Sequence, residues 1–315
     1  MEIALKVSAG SFNAIQLTFL RFLIGGLLLL PLAIREIRRK KSVFRRGDLA
    51  FFLLSGFLCV NVSMILFQMA VLYSPASVTA VLFSCNSVFA VLFARLLLGE
   101  RIGVRTVVSI LVIVAGMAVI IDPLHGSGSA LGMALALGAA VTFALYNIVG
   151  RTKSGRWGGI TLTCFSFLFG CAELLLLIAA GRVPAAAGWL RGAGLGLFAE
   201  VPLAAGVTLQ SLPGLLYVGI FVTGLGYTFY FLAMEQTSAA TAALVFYIKP
   251  VLAPLLALAV LGEAITGRMT AGIALIIAGS LVSFLPAVFP KKAAEDQSAE
   301  PETAEAAGES EEEIS

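Results

Sequence analysis

Three ionisable side chains stand inside otherwise apolar stretches of the 315-residue chain: Arg21, Glu173 and Lys249. A charge at the centre of a membrane helix costs about 2.5–3.5 kcal/mol, so such residues are rare and mark ion pairs, ligand sites or proton paths. Lys249 lies near the middle of SAATAALVFYIKPVLAPLLALAVLGE, residues 238–263, and is followed at once by Pro250. An ammonium there attracts a carboxylate or another anionic group. Pro250 and Pro254 remove backbone donors and disturb the preceding turn, which leaves a carbonyl near Phe246 able to bind substrate or water. The plainer reading pairs Lys249 with Glu173, or lets the lysine snorkel, which is hard from the centre of a span. Glu173 is then either a proton-coupling acid or that ion-pair partner. Arg21, in LRFLIGGLLLLP, is expected to be structural, pairing with a carbonyl or carboxylate to fix the bundle.

A second constellation is a polar stripe. Asn61, Met64 and Gln68 recur at helical spacing on one apolar segment. Tyr227, Tyr230 and Met234 recur similarly on a later one. A wall that hydrogen-bonds facing a wall that stacks suits a small amphipathic solute, although aromatic residues on membrane helices more often simply pack. Asn86 adds an amide at the depth of Lys249. No nucleophile stands in register with a base. The one histidine, His125, lies in a Gly/Ser loop, and Cys59, Cys85, Cys164 and Cys171 all lie inside apolar spans without metal or disulfide spacing. These observations argue against an enzyme, a metal site or a bound cofactor. Glu100 and Glu263 each follow a glycine beside an arginine and read as helix caps or inter-helix ties.

The elements that must position these residues are membrane helices. The chain is 59% hydrophobic and 12% charged, with mean hydropathy +1.00. No single soluble core holds that much apolar surface, so lipid serves as solvent. Apolar runs long enough to cross a bilayer predict spans at roughly 12–34, 48–73, 76–98, 104–122, 130–150, 159–180, 212–235, 238–261 and 269–289.

The chain also repeats itself. A shift of 163 residues superimposes Ala239, Phe246, Ala253, Gly262, Glu263, Arg268 and Gly279 on Ala76, Phe83, Ala90, Gly99, Glu100, Arg105 and Gly116 without a gap. Lys249 falls on Asn86, and Tyr227 on Met64. A shift of 145 superimposes Ile160, Thr163, Phe167 and Gly170 on Ile15, Thr18, Phe22 and Gly25. On this register only MEIALK remains of a first helix, opposite Tyr146 to Arg151. The expected architecture is an all-α polytopic membrane protein of two inverted five-helix repeats: residues 1–124 with a largely missing first helix, and 130–290 with an extra Gly/Ala-rich connection at 181–212. That connection reads as a short interfacial helix anchored by Trp189, or as an unstructured loop.

Basic residues set the orientation. Arg35 to Arg46, Arg95 to Arg105, Arg151 to Arg156, and Lys291 with Lys292 fall in alternate loops, which predicts those loops to be cytoplasmic. Residues 293–315 hold 9 of the 18 acids and no base, and read as a disordered acidic tail on the cytoplasmic side of the cell membrane. An odd number of spans per repeat inverts the halves. Inverted repeats build sites that open alternately to either side, near the midplane.

The paired apolar helices ending in Gly-Glu, together with LRFLIGGLLLLP and GLGYTFYFLAMEQTSAATAALVFYIKPVLAPLLALAVLGE, resemble the EamA family of the drug/metabolite transporter superfamily over residues 1–290. The resemblance implies ten helices, a central cavity, and export or exchange of metabolites such as amino acids. On this reading Lys249 attracts an anionic group, Asn86, Asn61 and Gln68 orient it, and Tyr227 and Tyr230 cover its apolar part. The expected partners are a small-molecule substrate and membrane lipids, without nucleic acid, and monomer and homodimer are both compatible. Rival readings are a multidrug cation exporter using Glu173, a lipid-carrier flippase and, least favoured, a membrane enzyme.

Overall fold

The computed structural model describes residues 1–99, 104–121, 129–229 and 239–288. Every element among them is helical. A two-turn helix α1 (Glu2–Ser8) precedes α2 (Ala14–Lys40), α3 (Arg46–Tyr73), α4 (Ala76–Leu98), α5 (Val104–Ile121), α6 (Ala130–Trp157), α7 (Gly159–Ala180), α8 (Pro184–Gly192), α9 (Leu212–Phe229), α10 (Ala239–Leu261) and α11 (Gly267–Val288). Six of these, α2, α3, α4, α6, α7 and α9, are long and apolar enough to cross a membrane. The apolar stretches described in α5, α10 and α11 are shorter. The protein is thus an all-α, multi-pass membrane protein.

Two helices outrun their expected spans. The apolar run of α2 ends near residue 34, yet the helix continues to Lys40 and closes on Lys41 in a left-handed conformation, φ 51°. Similarly α6 runs on to Trp157 and closes on Gly158 at φ 81°. In α2 the cause is propensity, since IREIRRK leaves the hydrocarbon but holds good helix formers. RTKSGRW, with Thr, Ser and Gly, is held instead by tertiary contacts, Lys153 and Arg156 on Asp48 and a buried Trp157. Hydropathy marks where lipid stops, whereas the helix stops where the backbone is capped. The overhangs meet at one end of the bundle. Ser42 Oγ donates to the Arg156 carbonyl at 2.7 Å, and Asp48 pairs with Lys153 and Arg156 at 2.9 and 3.0 Å. Two of the basic segments assigned to one side by sequence, 35–46 and 151–156, therefore share that end.

The connection after α7 contains the short helix α8, on which Trp189 is 69% exposed. The rest of it is pinned to the start of α2. Asn13 caps α2 by accepting from the Ile15 N–H at 2.8 Å, while its amide donates to the Leu197 carbonyl at 3.1 Å. Gln16 donates to the carbonyls of Leu203 and Ala205 at 3.3 and 2.6 Å.

Two pairs of sequence-equivalent helices pack antiparallel. In α2 and α7, the Cys164 thiol reaches the Gly26 carbonyl at 3.4 Å and the Cys171 thiol reaches the Phe19 carbonyl at 3.7 Å. The 145-residue shift converts one contact into the other. Between α5 and α11, Ser109 Oγ donates to the Gly279 carbonyl at 2.5 Å. A Cβ on Gly116 would stand 2.8 Å from the Gly272 carbonyl, and a Cβ on Gly279 would stand 3.0 Å from the Ser109 carbonyl. The 163-residue shift again exchanges the two contacts. Glycine is required at this crossing because the backbones touch.

Candidate functional site

Among the described residues, each of six helices contributes one ring to a continuous chain of aromatic contacts through the bundle. Phe67 (α3) meets Phe83 (α4) at 4.6 Å between centroids, and Phe83 meets Phe143 (α6) at 5.2 Å. Phe143 meets Tyr227 (α9) at 6.4 Å, Tyr227 meets Phe167 (α7) at 5.1 Å, and Phe167 meets Phe22 (α2) at 4.6 Å. The last contact is edge-to-face at 83° and joins two residues that the 145-residue shift superimposes. These separations fall in the range where edge-on and offset rings attract.

A cation stands over each end of this chain. The Lys249 ammonium lies 4.9 Å from the Phe83 centroid and 5.8 Å from that of Phe67. The Arg21 guanidinium lies 4.5 Å from the Phe22 centroid. All three distances suit attraction to the ring face.

The partner of Lys249 is Glu2 on α1, not Glu173. The lysine forms an ion pair with Glu2 Oε1, and Glu2 is 2% exposed. Four residues on, Lys6 pairs with Glu263 at 3.3 Å, so α1 is tied twice to the polypeptide around α10. Glu2 went unnoticed in the sequence because it stands beside the chain start rather than inside a long apolar run. The signal was present: the register that sets MEIALK opposite Tyr146 to Arg151 makes residue 2 part of a buried helix end, opposite Asn147.

Glu173 instead accepts a hydrogen bond from Asn61 at 2.7 Å, and the same amide also donates to the Gly170 carbonyl at 3.2 Å. Asn61 therefore ties α3 to α7. It lies in a π-helical stretch, Phe57–Met64, and the equivalent span α9 holds another, Tyr217–Leu225. Such wide turns frequently mark functional positions. Gln68, 1% exposed, has no hydrogen-bond partner for either amide atom. Asn86 sits where α4 is interrupted at Cys85 and donates to the Phe83 carbonyl at 2.8 Å. Broken helices at membrane depth are a common way to build binding sites. Pro250 and Pro254 both lie inside α10 without ending it.

Arg21 departs from the expected structural role. It is fully buried, and none of its three guanidinium nitrogens has a hydrogen-bond partner. Tyr227, Cys59, Glu2 and Cys171 lie within electrostatic range of it.

Glu263 caps α4. Its carboxylate accepts from the Ala76 N–H at 2.7 Å, the Ser77 N–H at 3.0 Å and the Ser77 hydroxyl at 2.7 Å. Burial alone would raise its pKa, but these donors, with the Lys6 charge, hold it below the ordinary carboxylate value. The start of α4 and the end of α10 thus lie together. Tyr230, Glu100, the loop holding His125 and the acidic tail lie outside the described residues.

Among the described residues no group of three histidines, cysteines or carboxylates could hold a metal. A separate cavity of about 400 Å³, lined by Lys40, Lys41, Arg45 and Arg156 among others, opens at the basic end, away from the rings.

Comparisons with known proteins bear on the family and the fold. The EamA-like transporter family model matches residues 2–122 and 130–285. An uncharacterized transporter of Clostridium kluyveri is 38% identical over 292 residues, spanning 90% of this chain and 88% of the relative. The uncharacterized transporter YvbV of Bacillus subtilis is 26% identical over 259 residues, spanning 82% and 78%. A solved crystal structure with 22% identity superimposes with a TM-score of 0.63 over 90% of each chain, which supports the fold alone. With two matched segments that cover nearly all the helices, the chain belongs to the EamA-like transporter family.

Proposed function

We propose that this protein is a secondary transporter that moves a small organic metabolite, an amino acid or a related solute, across the cytoplasmic membrane by alternating access, in export or exchange. The observation that carries this reading is the six-ring chain with a cation over each end, assembled from helices of both halves. Rings and cations together suit a solute with an apolar body and a charged head.

Alternation requires two halves that can exchange conformations, which inverted repeats supply. The antiparallel pairing of α2 with α7 and of α5 with α11, each contact returning to its own equivalent, supports inversion. The ion pair Glu2–Lys249 links α1 to α10 and so ties the first helix to the second repeat. It is a tie that a rocking motion must either carry as a unit or break. If basic loops stay inside, as in membrane proteins generally, the 35–46 segment and the acidic tail are cytoplasmic on this reading.

A cation exporter would need a buried carboxylate left open to its substrate. The described acids instead have partners: Glu2 pairs with Lys249, Glu36 accepts from the Thr161 hydroxyl at 2.6 Å, and Glu173 accepts from Asn61. The test is counterflow of a labelled amino-acid and organic-acid panel into proteoliposomes. At least one member should accumulate above empty vesicles, and Tyr227→Ala should abolish that accumulation while remaining monodisperse in detergent. Accumulation no better than in empty vesicles across the panel would overturn the transporter reading.

A further inference from the structure

We infer that Arg21, not Lys249, receives the substrate's charge, and that the substrate is a monoanionic organic acid with an apolar or aromatic body rather than a zwitterion. The inference deepens the transporter reading and rests on it.

The argument is one of charge. Among the described residues two side-chain cations stand against the ring chain, Arg21 and Lys249, and the carboxylate Glu2 is paired with Lys249 and, at 3.4 Å, with the N-terminal ammonium. Glu2 is committed to Lys249 by a direct ion pair. Among the described residues Arg21 is thus left without a carboxylate of its own: its guanidinium is fully buried and none of its three nitrogens has a hydrogen-bond partner. An uncompensated buried charge is among the costliest arrangements a protein can keep, and a neutral side chain of similar size would pack there more stably. Costly local arrangements of this kind persist where a ligand makes use of them. A carboxylate is the complement that fits: the guanidinium offers a planar fork of donors, and carboxylates accept two of them side by side. The Arg21 head stands 4.5 Å from the Phe22 ring centroid, and Phe22 leads through Phe167 to Tyr227. An anion held on Arg21 therefore has an aromatic surface for its body. A zwitterion would bring an ammonium into a site whose carboxylate is already engaged.

The test measures binding to the full chain in lipid nanodiscs at neutral pH by thermal stabilisation, since a ligand of the native state raises its melting point. The probes are 3-phenylpropanoate, 4-methylpentanoate and benzoate, each beside its neutral amide, with phenylalanine as the zwitterion. At least one carboxylate should bind at least tenfold tighter than its amide and than phenylalanine. Arg21→Met should weaken that carboxylate tenfold or more and leave the amide unchanged, with Arg21→Lys between. Without ligand, Arg21→Met should melt no lower than the wild type. Equal binding of acid and amide, undiminished carboxylate binding in Arg21→Met, or a ligand-free Arg21→Met and Arg21→Gln that both melt several degrees lower, would overturn the assignment. If amides or zwitterions bind and are transported while carboxylates do neither, this inference fails and the transporter reading stands. If no probe binds and proteoliposomes accumulate nothing, both fall.

Discussion

Lys249 and Arg21 are the same problem solved in two ways. Each is a cation laid over an aromatic ring inside an apolar bundle. Lys249 has a carboxylate against it, supplied by a helix almost the whole chain away, whereas Arg21 has rings and no hydrogen-bond acceptor. The difference teaches that a buried charge does not announce its own role. A paired cation holds helices together, and an unpaired one spends stability on something the empty protein does not show.

The comparison breaks most visibly at Glu2. Glu2→Gln leaves Lys249 charged and unpaired, which should destabilise the protein by about 3–5 kcal/mol, because removing one partner of a buried pair exposes the other to full desolvation cost. Adding Lys249→Met to that variant should recover most of the loss, since an apolar pair of similar volume is often neutral. Reversible unfolding in mixed micelles across the four proteins measures the coupling. Independent, additive losses would show that the pair does not act as a unit.

A smaller effect separates the two rings. Removing the ring under Arg21 with Phe22→Leu should couple to Arg21→Met by about 1–2 kcal/mol, because a desolvated guanidinium depends on that face. The same cycle for Phe83→Leu and Lys249→Met should give less, about 0.5 kcal/mol, since Glu2 already neutralises the ammonium. Equal couplings would mean that both cations are held alike and would erase the contrast drawn here.

The fold was legible where one physical rule acts alone. Span positions followed from hydropathy, and α4 and α7 begin and end within a residue or so of expectation because lipid punishes exposed backbone at every polar break. The repeat, read as residue identities with Gly116 on Gly279 among them, marked equivalent residues, but that α5 packs against α11 through those glycines is a tertiary fact that residue identity does not carry. The site was legible only in its cast. Lys249 and Tyr227 do lie against or within the ring chain, and Asn86 bonds the backbone of Phe83, but which acid meets Lys249 is a question of tertiary neighbourhood. Glu173 looked suitable by depth and was taken by Asn61, while Glu2 looked terminal and was buried. Helix ends escaped for a different reason: IREIRRK continues α2 beyond the lipid, and no hydropathy signal records a helix in water.

The third cation of the region completes the series at the water side. Lys6 stands one turn from Glu2 on α1 and pairs with Glu263 at 3.3 Å, but its side chain is 32% exposed and its partner's 14%. Here water screens the charges, and much of the carboxylate's value lies in capping α4 through Ala76 and Ser77. Glu263→Gln keeps one acceptor oxygen and turns the other into an amide NH2, so it loses the charge together with one of the capping acceptors and should cost about 1–2 kcal/mol at neutral pH. The folded carboxyl titrates below its ordinary value of 4.5. Its contribution is therefore complete above that value and is lost as pH falls through the lower, folded one. The stability gap between wild type and Glu263→Gln should accordingly be constant from pH 7 to about 5 and close below that. A gap that persists unchanged into strong acid would mean that the carboxylate's charge contributes nothing, and that α4 is held by acceptor geometry alone.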